Sequence, residues 1–121
     1  MPVYMTQFAY TPEAWAALLR NPEDRSHVLG EHLERLGGRL ICFYYAFSEY
    51  DGVAIFEAPD ETTAAAALLA VIAPGHDRAI KTTALLTVDQ ALAGMRQAGG
   101  LRYRPPTEPE GSDWRPYHDG A

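Results

Sequence analysis

The stretch Leu40-Ile41-Cys42-Phe43-Tyr44-Tyr45-Ala46-Phe47 is apolar or aromatic at every position. Successive side chains in a strand point to opposite faces, so a strand of this composition is apolar on both. A sheet with one face in water alternates instead. Val53-Ala54-Ile55-Phe56 repeats the unbroken pattern a few residues later. A sheet holding these two strands needs a cover on each face. The chain has 121 residues, which is one domain's worth, and its helices suffice for one face. The second cover is expected to be another copy of the chain packed sheet to sheet. That makes a homo-oligomer, most simply a dimer.

Local signals place the remaining elements. Residues 3–9 read as a first strand, rich in β-branched and aromatic types. Thr11-Pro12-Glu13 supplies an N-cap, a proline at the first helical position and an acid in the first turn. The helix that follows, residues 14–20, is interrupted at Asn21-Pro22-Glu23-Asp24, which repeats the start signal. Its second half runs over 23–36 to Gly37-Gly38, a C-terminal signal. Residues 39–47 and 50–58 form the second and third strands, joined by a short hairpin link, Ser48-Glu49. Asp60 caps an alanine-rich helix that ends at Pro74-Gly75. Residues 77–86 form a fourth strand. Thr87 and Gln90 make a capping box for a last helix over 88–97, closed by Gly99-Gly100.

The order strand-helix-strand-strand-helix-strand is the ferredoxin-like split βαββαβ of the α+β class. It predicts an antiparallel four-stranded sheet with both main helices on one face, an extra C-terminal helix and an irregular tail. The domain spans residues 1–105. Residues 106–121 are proline-rich and acidic, and residues 107–121 carry one Arg against two Glu and two Asp. Trp114 and Tyr117 are the tail's only aromatic anchors, and residues 107–112 are its expected cleavage site.

Charge and composition exclude several classes. Hydrophobic residues make 47% of the chain and charged ones 21%, a globular balance. Ten basic against sixteen acidic residues give a net charge of −6, which argues against nucleic acid and an anionic membrane surface as partners. The single cysteine, Cys42, allows no intrachain disulfide and reads as an inert core thiol, so a cytoplasmic location is expected. The first residues lack a signal peptide's basic start and apolar core. The longest strongly apolar run, residues 64–73, is half of a membrane span.

Over residues 3 to about 105 the chain resembles the GYD domain family, and the hairpin is where it becomes recognisable. The matching pieces are Gly37-Gly38-Arg39-Leu40, Tyr44-Tyr45-Ala46-Phe47, Glu49-Tyr50-Asp51-Gly52-Val53-Ala54-Ile55 and Ala58-Pro59-Asp60. Further on come Gly75-His76-Asp77-Arg78-Ala79-Ile80-Lys81-Thr82-Thr83, Leu86-Thr87-Val88-Asp89-Gln90-Ala91, Met95-Arg96-Gln97-Ala98-Gly99 and Tyr103-Arg104-Pro105. The resemblance implies a ferredoxin-like, dimeric α+β barrel type of protein and carries no activity with it. The family usually has a glycine after the phenylalanine, where this chain has Ser48. A turn needing positive φ there would be less comfortable.

Six residues are candidates for a ligand site: Tyr44, Tyr45, Tyr50, Asp51, His76 and Lys81. Tyr50-Asp51 offers a phenol and a carboxylate at a cavity mouth; structurally, Asp51 would satisfy hairpin backbone groups. His76 beside Asp77 could act as a general base, or be an exposed loop histidine. Lys81 could hold an anion, or guard an edge strand against aggregation. Tyr44 and Tyr45 point to opposite faces, so only one can enter a cavity between sheets. The third and fourth strands are expected to run antiparallel, which would put Tyr50-Asp51 and His76 at opposite ends of the sheet.

His32 falls between Val28 and Leu36 on an apolar helix stripe, whereas His27 pairs with Glu31 on a solvated face. The two histidines lie about 140° apart at ~100° per residue and cannot chelate one ion. No metal site or cofactor motif is present, and His118 lies in the tail. The expected function is a small oligomer whose sheets enclose a cavity for a small, partly aromatic organic ligand. Tyr44, Tyr45 and Tyr50 would line it, with polar anchors from Lys81 or His76. The alternatives are a cofactor-independent isomerase or monooxygenase-type enzyme on the same cavity, and an interaction protein working through its tail. A catalytic cavity should contain a polar group of perturbed pKa.

Overall fold

The structure is a computed structural model that describes residues 1–107. Expectations for residues 108–121, including the roles of Trp114, Tyr117 and His118, lie outside the described residues. The elements are β1 (Val3–Tyr10), α1 (Pro12–Arg20), α2 (Arg25–Arg35), β2 (Arg39–Tyr45), β3 (Gly52–Glu57), α3 (Glu61–Ile72), β4 (Asp77–Leu85) and α4 (Val88–Gly99). They fall into two compact units, the first Met1–Leu85 and the second starting at Leu86.

The start signals act where the sequence puts them. The Thr11 side chain accepts from the Ala14 backbone N–H at 3.1 Å, with Pro12 opening α1. Asp24 caps α2 through the N–H groups of Ser26 and His27. Asp60 caps α3 through Thr63 N–H at 2.7 Å. Those hydrogen bonds hold both exposed carboxyls below the ordinary aspartate range, the Ser26 hydroxyl being the largest cause at Asp24 and the Thr63 N–H at Asp60. In the second unit, Thr87 and Gln90 form a reciprocal capping box for α4, whose Val88 and Met95 are exposed.

The first unit is a four-stranded antiparallel sheet in the order β2-β3-β1-β4, as the ferredoxin-like pattern predicts. Helices α2 and α3 cover one face. The core there consists of Tyr4, Leu33, Phe56, Ala58, Ala64 and Ala67, ringed by Leu29, Leu36, Leu40 and Leu68. Burying a side chain the size of Phe56 stabilises the fold by about 1.5–3 kcal/mol. Two glycines set the close approaches. A Cβ on Gly38 would stand 2.4 Å from the Glu57 carbonyl oxygen, and one on Gly52 would stand 2.3 Å from Cζ of Phe8.

The opposite face carries no helix of this unit. Two cross-strand rows run over it, Cys42–Ile55–Met5–Thr83 and Tyr44–Val53–Gln7–Lys81. Tyr44 is 66% exposed and Ile41, at an irregularity in the β2–β3 register, 45%.

Two expectations are corrected. Both β3 and β4 run antiparallel to β1, which lies between them, so they run parallel to each other. Their starting ends share one end of the sheet. Phe8 C=O accepts from Asp51 N–H at 2.8 Å, and His76 C=O accepts from Thr11 N–H at 2.9 Å. Tyr50-Asp51 and His76 therefore flank the end of β1 in a single chain.

The hairpin link is also longer than two residues, since β2 ends at Tyr45 and β3 begins at Gly52. Phe47 takes the left-handed conformation, φ 50°. Its ring stacks on Tyr45 at 5.8 Å and lies 5.9 Å from Trp15. These ring contacts accompany the chain's departure from the strand ladder. The positive φ falls on Phe47, one residue before the Ser48 at which the family's glycine was expected to matter.

Candidate functional site

A cavity of about 270 Å³ lies between the covered face of the sheet and helices α2 and α3. Period-two alternation on β1 turns Thr6, Phe8 and Tyr10 toward it, and β4 adds Ile80 and, at its start, Asp77. Helix α2 adds Arg25, Val28, Leu29 and His32, whose spacing of three and four residues puts them on one stripe. Ala67 and Val71 of α3 form the facing wall.

The wall is mostly apolar, with polar groups gathered near one sheet end. Arg25 donates to Glu23 Oε1 at 2.8 Å, in an ion pair with both side chains well exposed. The Tyr10 hydroxyl sits beside Tyr45 and Arg25. Burial, then Tyr45, pushes the Tyr10 phenol well above its ordinary range. Burial also raises the Asp77 carboxyl, against the opposing pull of His76 and Arg25. Deeper in, His32 Nε2 lies 3.0 Å from the Ala67 carbonyl oxygen, and the Thr6 and Thr82 hydroxyls are 2.9 Å apart. A carboxyl whose proton is held more tightly than usual is the kind of group that acid–base chemistry uses.

The six sequence candidates are divided among different surroundings. His76 lines the cavity. Tyr45 stands beside it in an aromatic cluster with Phe43 at 5.4 Å, Trp15 at 6.0 Å and Phe8 at 6.4 Å. Tyr50 lies in the hairpin link. Asp51 Oδ2 accepts from Tyr10 N–H at 2.9 Å and Trp15 Nε1–H at 3.0 Å, tying the link to β1 and α1. It satisfies donors, as the structural reading expects, but not those of its own hairpin. Tyr44 and Lys81 belong to the other face of the sheet, in one cross-strand row. Tyr44 and Tyr45 do point to opposite faces.

Sequence reasoning missed Tyr10 and Arg25 as lining groups, and it weighed Asp77 only as a neighbour of His76. It left His32 as a satisfied helix histidine. The available signals were the period from Phe8 to Tyr10 and the position of His32 on the apolar stripe. His27 and Glu31 form the expected exposed pair at 2.7 Å. Among the described residues no cluster of three or more His, Cys, Asp or Glu could hold a metal ion, and no helix is long and apolar enough to cross a membrane.

The chain belongs to the GYD domain family, whose model matches residues 4–94. It is similar to the glutamine synthetase and cystathionine beta-lyase binding protein of Thermus thermophilus. The two are 30% identical over 90 residues, covering 74% of this chain and 94% of that one. The crystal structure of MtbAldR aligns with a TM-score of 0.52 at 13% identity, over 71% of this chain and 53% of that chain. That likeness is one of fold.

Proposed function

We propose that this chain binds a small, partly aromatic organic molecule and works as a homo-oligomer. The observation that carries the reading is the cavity under α2 and α3, with Arg25, Tyr10, His76 and Asp77 gathered on an otherwise apolar wall. Apolar walls with a few convergent polar groups are the usual make-up of small-molecule sites, and about 270 Å³ lies just below their usual range of about 300–1,000 Å³. On this reading the ligand lies between helices and sheet rather than between two sheets. Tyr44 and Lys81 then serve the oligomer contact rather than the ligand. Native mass spectrometry of the full chain tests both parts. The expected result is a dimer or larger assembly retaining a small-molecule adduct that denaturation releases. A bare 13.3 kDa chain without adduct contradicts the reading.

A second reading is protein binding. The relative from Thermus thermophilus is named for binding two enzymes, and the sheet face that no helix of the first unit covers carries exposed Tyr44 and Ile41. An uncovered apolar sheet face suits a macromolecular partner. Tyr44→Glu tests the part that face plays in association. It should abolish partner capture or self-association and leave small-molecule binding in place.

A further inference from the structure

The polar end of the cavity contains both signs of charge. Arg25, at the start of α2, and Asp77, at the start of β4, line the same space and lie close enough for each to act on the other electrostatically. They are not paired with each other; the guanidinium's ion pair is to Glu23. That contact is surface-exposed on both sides and therefore weak, and it occupies one nitrogen of a group with five donor hydrogens. A ligand bearing only an anion would meet Arg25 but be repelled by Asp77. One bearing only a cation would meet Asp77 but be repelled by Arg25. A ligand bearing both charges, on two groups attached to one carbon, satisfies each. Beyond the charged end, Phe8, Phe43, Val28 and Ile80 form the wall.

Resting on the small-molecule reading above, we propose that the cavity takes a zwitterion with an apolar side chain, of the α-amino-acid class. Its carboxylate faces Arg25, its ammonium group faces Asp77, and its side chain lies along Phe8 and Ile80. The Tyr10 hydroxyl stands beside Arg25 and Tyr45 at this end of the cavity. Desolvation opposes leaving Asp77 ionised and alone, and the incoming ammonium group supplies its counter-charge.

Isothermal titration of the full chain at neutral pH tests this with four probes: phenylalanine, 3-phenylpropanoate, phenethylamine and toluene. Phenylalanine should bind at least tenfold more tightly than either singly charged probe. Arg25→Gln and Asp77→Asn should each weaken it about tenfold or more, with circular dichroism unchanged. Asp77→Asn should improve or leave unchanged the binding of 3-phenylpropanoate. A singly charged probe that binds as well as phenylalanine overturns the zwitterion and leaves the cavity reading standing, as does toluene binding while phenylalanine is silent. Silence from all four overturns both.

Discussion

The two faces of the β2-β3-β1-β4 sheet differ in what covers them. Under α2 and α3, Tyr4, Phe56 and Ala54 are nearly inaccessible, and the remaining space narrows to the cavity. On the other face Tyr44 stands 66% exposed in a row with Val53, Gln7 and Lys81. The same strands supply both faces, with apolar side chains on each. An apolar residue therefore signals burial only where a covering element is available. Where none is, it signals a partner. On the proposed reading, stability and ligand binding belong to one face and association to the other.

The sharpest way to break that assignment is to truncate one large side chain on each face. Phe56→Ala should lower unfolding free energy by about 3–5 kcal/mol, read from urea denaturation. Tyr44→Ala should change the stability of dilute single chains by no more than about 0.5 kcal/mol while lowering the mass seen by light scattering. Equal losses would mean that the two faces are not distinct.

Gly52→Ala probes the covered face from beneath. The added methyl would meet three atoms of the Phe8 ring within 2.9 Å. Phe8 is held against Tyr10, Phe43 and Tyr45, so its displacement encroaches on the cavity. Thermal and urea unfolding should report a loss of about 1–3 kcal/mol, typical of overpacking.

Asp77 gives a pH-dependent contrast. Its carboxyl is raised in the folded protein by burial, so the fold holds that proton more tightly than the unfolded chain does. The associated stability is complete below the unfolded value near pH 3.9 and is lost as pH rises through the folded one. Asp77→Asn should therefore raise Tm at pH 7, and the gain should vanish near pH 3. A gain that grows on acidification would reverse the sign of the argument.

The smallest expected effect concerns Tyr4. Its buried hydroxyl has no hydrogen-bond partner among the described residues, although its ring stacks on Phe56 at 5.4 Å. Tyr4→Phe should leave Tm unchanged or raise it slightly. A clear fall in Tm would show that the hydroxyl is satisfied in solution.

Much of this architecture was legible in the chain. Thr11-Pro12, Asp60 and the Thr87–Gln90 box mark helix starts through side chains that bond the nearest free N–H groups, and such signals need no tertiary context. The hairpin was less legible because Phe47 adopts a left-handed conformation amid contacts with Tyr45 and Trp15, which sequence spacing does not reveal. The strand directions followed from the topology but were misjudged. With β3 and β4 parallel, Tyr50-Asp51 and His76 come to one end of the sheet. The candidate site was legible only in part. His76 could be singled out by type, whereas Arg25, Tyr10 and Asp77 become neighbours only when the fold brings the start of α2 to the end of β1 and the start of β4. Lys81 and Tyr44 were chosen for their chemistry, and strand parity turns both to the face that carries no helix of the first unit.

The central claim is that the covered face receives the ligand. The most direct measurement is amide shift mapping by ¹H–¹⁵N NMR during titration of the full chain with phenylalanine. The account predicts saturable shifts centred on Tyr10, Arg25, His32, His76 and Asp77. Shifts centred instead on Cys42, Tyr44, Val53 and Lys81 would contradict it.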